Sequence, residues 1–370
     1  MQDEVYMPGQ HSKVIKVMPP PDSAATSLPC LASLVHLTPD NTKALHQLSA
    51  RSGRIRFLNN GLIMLDRSHL IGMMLSMVDR IAIIGGGLAG VACAIQLKRY
   101  DLEPVIFEKD RIGGLVRNAR LIENYPGFPG GISGSELVRR LEDQIERSGL
   151  RVFFEEVRRL DHNGQNFDLD TEKQKISAEM VVIASGTRAV RPVDIVIPED
   201  IEDLVLFEIY PILKVTNHTI AIVGAGDVAF DYALSLSIRN KVFILNRGEE
   251  VKCLPTLFRE VSSRRSIHYL DQTQVEKVRR DSKGLILTVR KDVEIEKLRI
   301  DYLIFAIGRE PNLEFLSRSV IEELEILKRQ LRLFMIGDVK NGPYRQVTIA
   351  AGDGTRTAME IYHSIYKGDK

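Results

Sequence analysis

Two glycine clusters about 140 residues apart have the spacing that phosphate binding requires: Gly85-Gly86-Gly87-Leu88-Ala89-Gly90 and Gly224-Ala225-Gly226-Asp227-Val228-Ala229. In G-x-G-x-x-G the first glycine permits a tight turn, the second lets the backbone approach a pyrophosphate, and the third lets helix and sheet pack closely. Ala229 at the third position of the second cluster is a permitted variant. A helix opening at Leu88-Ala89, or at Asp227-Val228, points unsatisfied N–H groups and a positive dipole end at phosphate oxygens. About 18 residues past Gly90, Glu108 closes the next apolar run, with Lys109 after it. A carboxylate there can accept from both ribose hydroxyls. The matching place in the second cluster holds Asn246 and Arg247, followed by Glu249 and Glu250. A guanidinium grips a 2′-phosphate through two parallel N–H···O bonds, so this residue pair favours NADPH over NADH.

The chemistry needs strands and helices at fixed places, and the pattern supplies them. Arg80–Ile84 reads as a short apolar strand, Leu88–Lys98 as a helix and Pro104–Phe107 as a second strand. The unit recurs as Thr219–Val223, Val228–Ser237 and Lys241–Leu245. Each is followed by antiparallel hairpin material, Arg151–Lys175 with its turn at Asn163-Gly164 and Val275–Leu298 with its turn at Ser282-Lys283-Gly284. Further apolar strands follow at Met180–Ala184 and Tyr302–Ala306. The expected fold is α/β: two Rossmann-like dinucleotide-binding domains, each with a small antiparallel excursion, the second domain inserted in the first. Near the end, Phe334-Met335-Ile336-Gly337-Asp338 reads as a strand ending in a carboxylate that can meet a polyhydroxyl chain. A helix beginning near Gln346 can aim its dipole at a ring that gains negative charge on reduction.

From about residue 79 onward, the chain resembles the low-molecular-weight thioredoxin reductases and their flavoprotein relatives. The resemblance rests on the first glycine cluster, Gly113-Gly114-Leu115 after Phe107–Ile112, Glu123–Phe128, Val182–Thr187, Val223–Ala229, Phe305–Asn312 and Phe334–Gly354, in that order. It implies an FAD held by the Gly85–Gly90 loop, Glu108 and Lys109, with Asp338 after Gly337 on the ribitol. It also implies that Gly113–Leu115 and Asn124 line the flavin, and that Arg345, Gln346 and Val347 flank the isoalloxazine. Ser185 and Gly186, and Gly308, mark the crossovers between domains. The implied layout is an FAD domain of residues 79–187 plus 300–370 and an NAD(P)H domain of residues 188–299. Hydride passes from NADPH to flavin N5 in this family, and the chains form homodimers.

One piece of the family pattern is absent. A thioredoxin reductase carries Cys-x-x-Cys just ahead of its second Rossmann strand, where a thiolate exchanges with a substrate disulfide. Here that stretch is Leu204–Ile212, without cysteine, and the three cysteines are Cys30, Cys93 and Cys253. Cys93 falls on a sheet-facing position of the first helix and is expected to be inert. Tyr210 could occupy the space of the missing thiols. No residue is therefore expected to be catalytic in its own right, and the flavin's electrons go to a redox protein such as a ferredoxin or flavodoxin, or to a small oxidant. The similar ferredoxin/flavodoxin–NADP reductases usually add a C-terminal segment with an aromatic over the flavin, which residues up to Lys370 do not supply. Two other readings stand: a disulfide reductase using unconventional thiols, and a flavin-binding regulator.

Bulk properties exclude several classes. A formal net charge of +1 gives no general field for nucleic acid or anionic membrane. No apolar run reaches the roughly 20 residues needed to cross a bilayer, and Leu70–Val78 is too short. Few, scattered cysteines offer no local metal site and point to a reducing compartment, the cytoplasm. Residues 1–78, with Pro19-Pro20-Pro21 and no sustained period, read as a disordered or non-native extension, with Met74 or Met77 as alternative starts.

Overall fold

The computed structural model describes residues 81–366 and, ahead of them, the backbone of five short strands. Those strands, β1 (Asp3–Tyr6), β2 (Val14–Met18), β3 (Ser33–His36), β4 (Arg56–Leu58) and β5 (Leu62–Leu65), pair antiparallel in the order β1-β2-β3-β5-β4. Met1–Val78 forms one compact unit and Asp79–Lys370 another. Apart from these strands, the expectation for residues 1–78 and the alternative starts lie outside the described residues.

In the second unit the chain runs β6 (Ile81–Ile84), α1 (Leu88–Lys98), β7 (Val105–Phe107), a 3-10 turn at Gly114–Asn118, α2 (Gly134–Ser148) and β8 (Arg151–Phe153). Then come β9 (Val157–His162), β10 (Phe167–Thr171), β11 (Lys175–Ala178), β12 (Met180–Ile183), β13 (Thr187–Ala189) and β14 (Val205–Leu206). The second nucleotide unit is β15 (Thr219–Val223), α3 (Asp227–Leu236), β16 (Lys241–Leu245), α4 (Pro255–Ser262) and β17 (Ile267–Leu270). It is followed by β18 (Thr273–Asp281), β19 (Gly284–Lys291), β20 (Glu294–Ile300), β21 (Tyr302–Phe305) and β22 (Arg309–Pro311). The chain closes with α5 (Arg318–Arg329), β23 (Leu333–Met335) and α6 (Val347–Tyr366).

Two five-stranded sheets are parallel throughout, in the orders β23-β12-β6-β7-β8 and β14-β21-β15-β16-β17. Their strands are buried on both faces, which is why Ile81–Ile84 and Thr219–Val223 read as unbroken apolar runs rather than alternating ones. One face of the first sheet packs on α1, α2 and α6. Its other face is covered by the β11-β10-β9 excursion and α5. The second sheet repeats the design, with α3 and α4 on one face and β18-β19-β20 on the other. In each sheet the connections run both ways from one central strand, β6 or β15. The crevice beside it, at the carboxyl ends, is where this architecture binds ligands.

The expected fold class holds, with one correction. Arg151–Phe153 is no part of the antiparallel hairpin; it pairs in parallel with β7 at the edge of the first sheet. Phe153 stacks on Phe107 there, at 5.5 Å between ring centroids. The excursion begins only at Val157. Between the two sheets the chain crosses twice, and the crossings pair with each other: β13 and β22 are antiparallel, with Ala189 opposite Arg309.

Candidate functional site

The two glycine loops are built the same way. Gly85 has φ +113°, and a Cβ on it would sit 2.3 Å from the carbonyl oxygen of Ala184, where β12 ends beside β6. Gly224 has φ +144° and meets Ala306, after β21, at 2.4 Å. In both, the loop crosses directly over the carboxyl end of the neighbouring strand, and only glycine fits. Gly87 and Gly226, by contrast, have no atom within 4 Å of an added Cβ. The space above each is open, in front of the free N–H groups of α1 and α3.

Around the first loop, the segments singled out in sequence converge. The Gly113 N–H donates to the Gly86 carbonyl at 2.8 Å, and Gly114 lies against the Gly87 Cα. Gly337 packs on Ala89. Asn124 Nδ2 donates to Gln346 Oε1 at 2.9 Å, tying the 124 loop to the start of α6. Glu108 is buried; Oε2 accepts the Gly86 N–H at 2.7 Å and Oε1 the Asp110 N–H at 2.9 Å. Each oxygen keeps a second lone pair for a hydroxyl donor. Asp338, half-buried after β23, has no hydrogen-bond partner among the described residues. Burial raises its carboxyl pKa, while Arg345 and Arg309 nearby oppose the rise. An unsatisfied, partly desolvated carboxylate is what a polyhydroxyl chain would complete.

Arg345 Nη2 donates to the Arg309 carbonyl at 3.2 Å, and its buried Nε has no partner. Val347 is half-buried at the N-terminus of α6. Ser185 and Gly186 bond Asn312 instead, so they knit the crossover together. Gly308, at the other crossover, accepts from the Val190 N–H. Lys109 is exposed and reaches toward Glu156, 4.0 Å away, rather than into the loop.

At the second loop, Asn246 is buried and its amide is occupied inside the protein. Nδ2 donates to the Glu250 carbonyl and the Tyr269 hydroxyl, and Oδ1 accepts the Gly248 N–H. It shapes the turn that presents Arg247, which is exposed and free of partners among the described residues. Asp227 accepts the Leu254 N–H at 2.7 Å and so pins the 252–254 segment to the loop, leaving Val228 exposed beside it. Lys252 was not legible in sequence. Its backbone bridges Gly226 and donates to the Ala225 carbonyl, so a second exposed, unpaired cation stands on the loop itself.

The cysteine-free stretch Leu204–Ile212 meets residues that sequence reasoning also missed. Asn118, buried at the end of the 3-10 turn, donates to Glu208 at 3.3 Å and accepts the Tyr210 N–H at 3.0 Å. Arg111 donates to the Tyr210 hydroxyl at 2.9 Å, and the Arg117 guanidinium lies 5.0 Å from the Tyr210 ring centroid. Cys93 is fully buried, and burial pushes its thiol pKa far up. Cys253 is half-buried, with its pKa raised first by burial and then by Asp227. Neither is an activated thiolate.

A family model described as pyridine nucleotide-disulphide oxidoreductase matches residues 79–354. The chain belongs to that family. Within it, the chain is thioredoxin-reductase-like, and it is an FAD-dependent oxidoreductase. Thioredoxin reductase 2 of Arabidopsis thaliana is 28% identical over 313 residues, covering 77% of this chain and 81% of that one. Mitochondrial thioredoxin reductase 2 of Saccharomyces cerevisiae is 28% identical over 327 residues, covering 80% and 95%. Among solved structures, thioredoxin reductase of Lactococcus lactis aligns at a TM-score of 0.69 and 23% identity over 78% of this chain and 99% of that one. Bacillithiol disulfide reductase of Staphylococcus aureus aligns at 0.60 and 18% over 77% and 98%. These structures share the fold. Among the described residues, no helix is long and apolar enough to cross a membrane, and no cluster of side chains could hold a metal.

Proposed function

We propose that this family member is an NADPH-dependent flavin reductase that passes electrons to an acceptor other than a Cys-x-x-Cys-linked disulfide. The observation that carries the reading is the pairing of two open glycine loops with unsatisfied groups of opposite sign. Asp338 awaits hydroxyls at one loop; Arg247 and Lys252 await a phosphate at the other. FAD bound at the first loop would supply a ring that accepts hydride and returns electrons singly or in pairs. Glu108 would orient the ribose, Asp338 the ribitol, and the N-terminus of α6 would favour negative charge on the ring.

The FAD domain then comprises residues 79–187 and 300–370, and the NADPH domain residues 188–299. The β13–β22 pair is the hinge between them. The acceptor is a small oxidant or a redox protein such as a ferredoxin or flavodoxin, the working form a homodimer and the compartment the cytoplasm. An unconventional-thiol disulfide reductase is the second reading; of the described cysteines, Cys93 is buried and Cys253 has a raised pKa, so neither is a ready nucleophile for it. Anaerobic titration of the FAD-loaded protein with NADPH, then with a panel of ferredoxin, flavodoxin, thioredoxin, quinone and oxygen, tests the reading. Reoxidation by thioredoxin alone would overturn it.

A further inference from the structure

Asp353 sits in the second turn of α6, where the helix is pressed against α1. A Cβ on the next residue, Gly354, would lie 2.2 Å from the Ala89 carbonyl oxygen, so glycine lets the two helices touch. Ala358 and Ile361 carry the same face into the core. The backbone that bears Asp353 is therefore fixed. Its carboxylate, 17% exposed, reaches back to the turn after β23. Oδ2 accepts the Gly337 N–H at 3.0 Å and Asn341 Nδ2 at 2.7 Å, and Oδ1 lies 3.4 Å from Lys340 Nζ.

Asp338 lies between the gripped residues. Gly337 is buried and turns the chain sharply, with φ +72° and Ala89 2.8 Å from an added Cβ. Its N–H has no partner but Asp353, and a buried N–H left unpaired would destabilise the turn. The Asp338 carboxylate has no hydrogen bond of its own among the described residues, so its place is set by the backbone on either side.

The charges around Asp338 come from three directions. Burial raises its pKa; Arg345, ahead of α6, and Arg309, on β22, oppose the rise, and Asp353 adds to it. Arg309 is itself held by two 2.9 Å bonds to Thr187 on β13 and lies 3.6 Å from Glu208. A carboxylate accepts from hydroxyls more strongly than a protonated carboxyl. Asp353 thus acts on Asp338 both through the chain and through space.

Resting on the proposed FAD site, we propose that Asp353 is the positioning residue for Asp338. By gripping Gly337 and Asn341 it fixes the carboxylate that meets the ribitol, and its negative charge makes FAD retention sensitive to acid.

Equilibrium dialysis of the FAD-loaded, full-length protein, from neutral pH down through the carboxylate range, tests this. Asp353→Ala should weaken FAD retention at neutral pH by roughly tenfold, the loss of one charge-assisted bond. Asp353→Asn keeps an acceptor oxygen for Gly337 and Asn341, and should stay within about threefold of wild type there. Its FAD should be held to lower pH than in wild type, because the charge that hinders ionisation of Asp338 is gone. Asp353→Ala placed on Asp338→Asn should weaken binding by only about twofold more, since no carboxylate remains to be positioned. The same factor in both backgrounds would mean a merely structural role and overturn the proposal. So would an acid limb at the same pH in wild type and Asp353→Asn. If wild type holds no FAD, the functional reading fails, and a carbon-13 titration of the Asp338 carboxyl decides instead. Titration at lower pH in Asp353→Asn would support the link between the two carboxylates, and an unchanged titration would overturn it.

Discussion

Asn246 donates through Nδ2 to the Tyr269 hydroxyl over 2.8 Å, so the side chain at the end of β16 faces into the protein. Discrimination of the 2′-phosphate then falls to Arg247 and Lys252. Each charge-assisted bond to phosphate is worth about 1.5–3 kcal/mol. Arg247→Ala or Lys252→Ala should weaken NADPH binding by roughly 10- to 100-fold and leave NADH binding near wild type. Asn246→Ala should weaken both nucleotides alike, because it loosens the turn. Isothermal titration with the two nucleotides separates these patterns.

Asp338 ties stability to cofactor binding. Its carboxyl pKa is raised by burial, so its contribution to the FAD-free fold is fullest where it is protonated. That contribution is lost as pH rises through the folded-state pKa. Asp338→Asn should therefore raise the Tm of FAD-free protein at neutral pH, with the gain vanishing on acidification through the carboxylate range. The same variant should bind FAD about tenfold or more weakly. A lower Tm in FAD-free Asp338→Asn at neutral pH would contradict the assignment.

The glycines of the first loop divide into two kinds. Gly85→Ala puts a Cβ 2.3 Å from the Ala184 carbonyl oxygen at a positive φ, and should cost roughly 2–4 kcal/mol of stability, seen in a denaturant melt. Gly87→Ala meets no protein atom and has φ −69°, so the fold should be unchanged. FAD affinity should nonetheless fall by on the order of tenfold or more, because the pyrophosphate is kept from the backbone. Equal effects of the two changes on folding would argue against this division.

The two described thiols, Cys93 and Cys253, should matter little to turnover. Cys93→Ala removes a fully buried side chain and is expected to cost about 1 kcal/mol of stability. Cys253→Ser should leave steady-state reduction of a one-electron acceptor within about twofold of wild type, a change below roughly half a kcal/mol. Loss of activity in Cys253→Ser would revive the unconventional-thiol mechanism.

Much of the first site was legible because its chemistry fixes residue type and spacing. The glycine loop, Glu108, the 113–115 turn and Asp338 fall together around the carboxyl ends of β6 and β23. Residues that act through distant partners were not legible. Asn118 and Glu208 are ninety positions apart in the chain. Nothing local in Arg309 announces that it will lie between Thr187, Glu208 and Asp338. Asn246 ends β16, and where its amide points could not be read from sequence, since only the packing of Tyr269 decides it. Arg151–Phe153 was given to the wrong sheet for a similar reason. A three-residue strand with alternating character fits a hairpin or a parallel edge equally, and the choice was made by Phe107 across the ladder.

The central claim is that the bound flavin takes electrons from NADPH without a dithiol. Anaerobic stopped-flow mixing of the FAD-loaded protein with NADPH, and separately with NADH, tests it most directly. The account predicts bleaching of the flavin's visible band by both nucleotides, with NADPH effective at about tenfold lower concentration or less. No bleaching with either nucleotide would contradict it.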